Sequence, residues 1–428
     1  MEKQRASFPK VISLAGMLML LAGAAWGQSL TAKEQLGSSI FFDTNLSINF
    51  NQACAACHSH ETGFTGPQST TNAHGAVYEG SIAGRFGNRK PPSAAYATPS
   101  PILNYVMDHR EALFSGGNFW DGRATGETLG NPAADQALGP FLNPLEQALP
   151  DHACVVYRVC TATYPVAFEN VWGAGTCQIT WPANISTTCA TEGGVVSLSA
   201  EDRTKVNAAY GAIGLSVAAY EASPAVNQFT SKFDYYRKGM ADLTQEERKG
   251  LAIFSGKAKC TNCHTIGKGA KAESSLLTDF TYDNLGVPKN PENPFYVSNP
   301  SFVDQGLGGF LNTRADYQMF AEENLGKQKV PTLRNVDKRP DPGFVKAYTH
   351  NGYFKTLEGI VHFYNTRDVK PVCPGPYTEA QALAANCWPP PEVSENVNHV
   401  ELGNLHLTPD QEAAIVAFLK TLSDGHSP

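Results

Sequence analysis

Apolar residues recur at helical spacing in only a few places along this 428-residue chain. Leu30 to Phe42 carries a short helical pattern that stops at Asp43-Thr44-Asn45. Asp202 to Glu221 predicts an Ala-rich helix ended by Ser223-Pro224. Thr244, with Glu247 three residues on, forms a capping-box pattern for a helix that runs to about Phe254. Thr356 opens a helix over Leu357 to Tyr364. Thr408-Pro409-Asp410-Gln411 opens the last one, with Ile415, Phe418, Leu419 and Leu422 on one face. Between these, 59–101 and 265–340 lack a helical period and are rich in turn formers. Loops of this length are uncommon unless they are ordered around something. Residues 151–199 hold four cysteines, many threonines and little periodicity, and read as a disulfide-stapled insertion. The pattern predicts an all-α fold with much irregular loop.

What the loops surround is indicated by two short motifs. Cys54-Ala55-Ala56-Cys57-His58 and Cys260-Thr261-Asn262-Cys263-His264 both match C-x-x-C-H, the attachment signal for a c-type haem. The thiols add to the haem vinyl groups and the histidine ligates the iron. With 10 Cys and 11 His in the chain, composition alone gives one match about 0.006 times. A zinc site or a redox dithiol does not require histidine directly after the second cysteine in both copies. Each motif follows a helix, and the last helix closes the second half. The architecture expected is therefore two cytochrome c-like domains, each holding one covalent haem c, at 28–226 and 227–428.

Composition sharpens the setting. Apolar content of 42 % and charged content of 17 % suit a protein with a real core. A net charge of −7 argues against nucleic acid as a partner and permits docking of a basic electron donor. Met1 to Gly27 reads as a secretory signal peptide: Lys3, Arg5 and Lys10 precede an apolar run from Val11 to Ala25, and cleavage is expected after Gly27. That run is shorter than the roughly 20 residues of a membrane span, and no other stretch qualifies. Export to the periplasm fits the remaining cysteines. Cys154, Cys160, Cys177, Cys189, Cys373 and Cys387 are even in number and read as disulfides. Cys373 and Cys387 flank a Pro-rich loop and can pair locally; the other four allow three pairings.

Beyond the haem motifs, a series of stretches stands in a specific order: Leu36-Gly37, Phe41-Phe42-Asp43 and Leu46-Ser47; Phe119 to Arg123; Gly139-Pro140, Asn143-Pro144 and Glu146; Pro331-Thr332-Leu333-Arg334-Asn335-Val336; His350-Asn351-Gly352; Thr356-Leu357-Glu358 and Phe363-Tyr364-Asn365. Together they resemble the bacterial di-haem cytochrome c peroxidases and their relative MauG over nearly the whole mature chain. The resemblance implies that the N-terminal haem reacts with hydrogen peroxide. It implies that Glu146 is the distal carboxylate, that Gln136 is a polar distal residue, that Pro140 packs over the distal face, and that Trp120 lies between the haems. Heterolysis of the O–O bond needs a proton delivered to the leaving oxygen, which is carboxylate work. His350 reads as a satisfied core histidine.

Three departures from the family pattern follow. The histidine that caps the N-terminal haem in resting peroxidases falls near Ser81 or Ile82 here, neither of which is such a ligand; His74 lies several residues early. The first haem is therefore expected to be open. The axial methionine of the second haem is replaced by Tyr364, as in MauG, with His362 as the alternative. The asparagine that the family uses for an inter-domain calcium is Lys90, which has donors only. Asn88 and the carbonyls near Val345 and Ala347 are the substitutes, and calcium is in doubt. The resemblance implies a MauG-like enzyme that uses peroxide to form a high-valent di-haem state and oxidises an exported protein partner. Gly84 to Ala94 is similar to MauG relatives associated with copper handling, which implies tryptophan-to-kynurenine oxidation in a copper-binding partner. The alternative is a peroxidase reducing hydrogen peroxide to water with electrons from a small cytochrome c or cupredoxin. A di-haem electron carrier without catalysis is the third reading.

Overall fold

The computed structural model describes residues 29–109, 111–162, 164–267 and 275–428. The segment read as a leader lies outside the described residues. The chain is mostly helix and loop, with two short two-stranded sheets. Among the described residues no helix is long and apolar enough to cross a membrane.

The two largest apolar cores are each built on a pair of tightly crossing helices. In the first, helix Ala32–Phe41 packs on the long helix Ala200–Ala222, around Leu36, Ile40, Ile213 and Val217. In the second, helix Gln245–Ser255 packs on helix Pro409–Lys420, around Phe254, Ile415 and Phe418. The crossings are alike in detail. A Cβ on Gly37 would meet Ser216 O at 1.9 Å and Tyr220 Cβ at 2.9 Å. A Cβ on Gly250 would meet Ala414 O at 1.9 Å and Phe418 Cβ at 2.9 Å. Only glycine lets the two backbones touch. Both entry helices begin with a full capping box, Thr31 with Glu34 and Thr244 with Glu247.

A second likeness sits in the loops. Asn118 bridges to Ala124, and Tyr348 bridges to Phe354. Within each loop a non-glycine residue takes positive φ (Phe119 63°, Thr349 67°), as does a glycine (Gly122 77°, Gly352 67°). Trp120 and His350 occupy the same place in these turns, and their rings meet edge-on at 6.5 Å. The halves are tied by buried Arg89, whose guanidinium reaches Asp121 and Asp304 at 2.6 Å each.

The 151–199 segment differs from expectation. It forms helices His152–Thr161, Pro165–Trp172 and Ile185–Cys189. Ala153, Cys154, Val155, Val156 and Val159 are fully buried in the first core. The disulfides nest: Cys154 with Cys189, and Cys160 with Cys177. Half-cystines here are apolar core residues as well as staples, and the apolar face becomes visible only when they are counted with the valines. Cys373 pairs with Cys387 as anticipated. The hairpin Asn104–Asp108 with Glu111–Ser115 had no sequence signal that set it apart from loop.

Candidate functional site

Each C-x-x-C-H motif opens with a single turn of 3-10 helix, Cys54–Ala56 and Cys260–Asn262. His58 N donates to Cys54 O at 3.0 Å, and His264 N to Cys260 O at 2.8 Å. All four thiols are free, and both pairs line cavities. His58 Nδ1 lies 2.9 Å from Phe64 O, and His264 Nδ1 lies 2.9 Å from Leu277 O. A carbonyl only accepts, so each Nδ1 carries the proton and each Nε2 keeps its lone pair for a metal. Burial lowers both imidazoles' affinity for a second proton. Two thiols and a neutral imidazole on a cavity wall fit a covalent haem in both places.

The first cavity encloses about 1150 Å³, part of it continuous with solvent. Cys54, Cys57 and His58 line it, with Trp120, Gln136, Pro140 and Glu146. The predicted residues of the first half are thus brought together. Gln136 and Pro140 come from helix Pro132–Leu142, started by Asn131 as N-cap. Glu146 follows that helix. Its Oε2 accepts from Asn143 Nδ2 at 2.7 Å, and burial raises its carboxyl above the ordinary range. Tyr96 also lines this cavity, but its hydroxyl is engaged with Asp424 at 2.6 Å.

The second cavity encloses about 1750 Å³ and is lined by Cys260, Cys263, His264, Tyr364, His350 and Trp120. Trp120 belongs to both walls. Its buried indole Nε1 donates to Lys90 O at 2.9 Å. Tyr364 comes from helix Leu357–Thr366, with Thr356 as N-cap. Gln136, Ala137 and Pro140 line the first cavity at the same spacing as Ile360, Val361 and Tyr364 line the second. Pro140 thus stands where Tyr364 stands.

Other candidates fall elsewhere. His74 is exposed and pairs with Glu292 at 3.0 Å. His362 pairs with Glu412 at 3.1 Å. Ser81 is buried but bonds Asn51 at 2.6 Å, and neither it nor Ile82 lines the first cavity. His350 is buried, as expected of a core histidine, but its Nε2 makes no hydrogen bond and lies 3.7 Å from Glu392 Oε2. The reading also missed Glu221. It lines the first cavity, and burial pushes its carboxyl up to about 8. The available signal was an acid among the inward positions Ile213, Val217 and Tyr220 of one helix.

Known proteins resemble this chain over most of its length. Residues 31–242 match the family model for di-haem cytochrome c peroxidase. The chain is 30 % identical to methylamine utilization protein MauG of Paracoccus denitrificans, over 97 % of this chain and 95 % of that one. It is 25 % identical to cytochrome c551 peroxidase of Nitrosomonas europaea, over 91 % and 79 %. The diheme peroxidase BthA of Burkholderia thailandensis has a similar structure, with TM-score 0.69 and 26 % identity over 92 % and 86 %. A MauG-like protein associated with microbial copper homeostasis shares the fold, with TM-score 0.59 and 22 % identity over 92 % and 91 %. Two covalent-haem motifs on a helical scaffold define a c-type cytochrome with peroxidase relatives. The chain belongs to the di-haem cytochrome c peroxidase family that includes MauG, and is an oxidoreductase of that type with two haem c cofactors implied.

Proposed function

We propose that the chain is a MauG-type enzyme that spends hydrogen peroxide on the oxidation of an exported protein partner. The carrying observation is the asymmetry of the cavities: Pro140 in the first at the place held by Tyr364 in the second. Haem c, when bound, supplies an iron that takes peroxide and accepts its oxidising equivalents. Cys54 with Cys57, and Cys260 with Cys263, attach the two groups, and His58 and His264 each hold one from one face. Glu146, ionised, takes a proton from one peroxide oxygen and returns it to the other as water leaves. Asn143 aims that carboxylate. Gln136 and Pro140 shape the distal space, and Trp120 is the conductor between the cavities. Tyr364 would help hold the second haem through its phenol oxygen.

The haem domains are taken as 28–226 and 227–428, supported by the two core clusters. Periplasmic location is supported by the sequence of 1–27 and by three disulfides. Calcium is no part of this reading. Lys90 Nζ, a donor only, sits at that place and bonds Thr65 Oγ1 at 2.9 Å and Pro91 O at 3.0 Å. Val345 O accepts from Asn72 at 3.1 Å and Asn88 O from Asn293 at 3.0 Å. The partner favoured is a copper-binding protein whose tryptophan is oxidised towards kynurenine, supported by the Gly84 to Ala94 stretch and by the copper-homeostasis relative's fold.

The test is stopped-flow mixing of the fully oxidised protein with one equivalent of peroxide. Reaction without prior reduction is the expected outcome, and a requirement for one-electron reduction first would overturn the reading. The peroxidase relatives favour a second reading, reduction of peroxide to water. Rapid steady turnover with a reduced small cytochrome would select it.

A further inference from the structure

Three buried or cavity-lining ammonium groups, Lys90, Lys329 and Lys346, have no carboxylate at ion-pair distance among the described residues. An isolated charge in a protein interior is costly, and a lysine so placed is either fully hydrogen-bonded or meets a counter-charge. Lys346 is the saturated case. Its Nζ donates to Thr62 O at 2.8 Å, Asn335 O at 2.9 Å and Lys338 O at 3.0 Å, which uses all three N–H groups.

Lys329 and Lys90 are not saturated. Lys329 Nζ donates to Ser100 Oγ and Gly116 O, both at 3.0 Å. Lys90 Nζ donates to Thr65 Oγ1 and Pro91 O. Each keeps one N–H to give. Lys329 lines both cavities and Lys90 the second. Both bracket Trp120: its indole donates to Lys90 O, and Lys329 N donates to Trp120 O at 2.8 Å. Beside them the Gln328 amide and His350 Nε2 also lack partners, and both residues line the second cavity. Unpaired polar groups gather at one wall; Glu392 Oε2 comes within 3.7 Å of His350 Nε2, while no carboxylate among the described residues pairs with either lysine.

We propose that Lys329 and Lys90 are the carboxylate-binding groups of the wall between the cavities, each taking a propionate of a haem seated there. This rests on the reading of both cavities as haem sites. A c-type haem attached through its vinyl carbons still carries two carboxylates, which are the counter-charges that the wall lacks. The two lysines then fix the haems against Trp120 from either side. Burial pushes Lys329 down to about 7 and Lys90 to about 8, so a bound carboxylate also holds them charged at neutral pH. Other charges face them. Asp279 raises Lys329 but accepts from Thr281 N and Oγ1 at 2.9 and 2.7 Å; Lys355 lowers Lys90. Glu146 and Glu221 line the first cavity with Lys329, and His350, Asp304 and Glu392 line the second.

The experiment compares wild-type holoenzyme with Lys329→Met and Lys329→Arg. Haem per chain is counted by pyridine haemochrome, propionate bending bands are read by resonance Raman across pH 6 to 10, and both haems are titrated electrochemically. The wild-type bands are expected to shift with pH as a lysine loses its proton. Lys329→Met removes the Lys329 part of that shift and leaves that of Lys90, and without the positive charge the oxidised-to-reduced ratio of at least one haem rises threefold or more at fixed potential. Lys329→Arg stays within threefold of wild type. Flat wild-type bands, or a ratio change under threefold in Lys329→Met, overturn the proposal. If Lys329→Met fails to take up haem, the wild-type bands and the Lys329→Arg ratio decide it. Fewer than two haems per wild-type chain would instead refute the reading of the cavities.

Discussion

The two halves of the molecule share a scaffold and differ in the residues that line the cavity beside each histidine. Gly37 on Ser216 repeats as Gly250 on Ala414. The Asn118–Ala124 turn repeats as Tyr348–Phe354. A helix at each cavity presents residues at the same spacing, but Gln136 and Pro140 in one half correspond to Ile360 and Tyr364 in the other. Proline brings neither a ligand atom nor an N–H, whereas tyrosine brings a phenol. Just after its helix the first half adds the acid Glu146 to the cavity wall. On the proposed reading, the shared scaffold would place each haem and these few side chains would set what it does.

The largest effect should come from removing the added acid. Glu146→Gln keeps the shape and the Asn143 contact but cannot ionise. A loss of 100- to 10,000-fold in peroxide reaction is expected, roughly the range for a positioned acid–base group, with the second haem's spectrum unchanged. Undiminished reactivity would strip Glu146 of its proposed role. The sign with pH is fixed. The carboxylate is the form that first takes a proton, and burial raises its pKa above 4.5. The rate should therefore rise with pH through that raised value, and the limb should vanish in Glu146→Gln.

Next in size are the glycine crossings, which test whether the halves are equivalent as scaffolds. Gly37→Ala and Gly250→Ala each drive a methyl into a backbone carbonyl, 1.9 Å away before any adjustment. About 3 kcal/mol or more of destabilisation is expected from each, at the upper end for overpacking. Denaturant unfolding followed at each haem separately would check it. A neutral result at either glycine would show that its helix pair shifts freely.

Much of this was legible in the sequence, for physical reasons particular to each feature. The haem motifs are local chemistry at fixed spacing, so Cys54, His58, Cys260 and His264 could be read directly. The capping boxes at Thr31 and Thr244 are equally local, although only the second was recognised. Glu146, Gln136, Pro140, Trp120 and Tyr364 were placed by resemblance, and the fold brings all five to the cavities. The lysines were not legible as a group. Lys90 and Lys329 are far apart in sequence, and what makes them unusual is the absence of a partner carboxylate, which only tertiary structure reveals. The nested disulfides were undetermined because pairing depends on how three helices stack.

Tyr364→Phe probes the difference from the other side. It removes the proposed oxygen ligand and leaves the ring. Only the second haem's spectrum should change. Loss of an anionic oxygen disfavours oxidised iron, so the reduced form should gain by tenfold or more, about 59 mV for one electron. An unchanged spectrum would sink the ligand assignment and bring the halves closer than proposed.

The smallest effect concerns the caps, where the halves are alike in motif but not in surroundings. Thr31→Ala and Thr244→Ala each free the N–H of an N3 glutamate, at 3.3 Å in Glu34 and 3.2 Å in Glu247. Each should cost about 1 kcal/mol. The glutamates should not match. Glu34 only closes its own box, on Thr31 N at 2.7 Å. Glu247 also receives Lys232 Nζ on both oxygens, at 2.8 and 2.7 Å, which ties helix Lys232–Arg237 to the entry helix of the second half. Glu247→Ala should therefore cost more than Glu34→Ala, by roughly 0.5 to 1 kcal/mol for a partly exposed pair. Salt should shrink that excess while leaving the threonine variants unchanged, because screening acts on the ion pair and not on the cap. Equal costs at high and low salt would show that Lys232 adds nothing, and that the two entry helices are interchangeable down to their first turn.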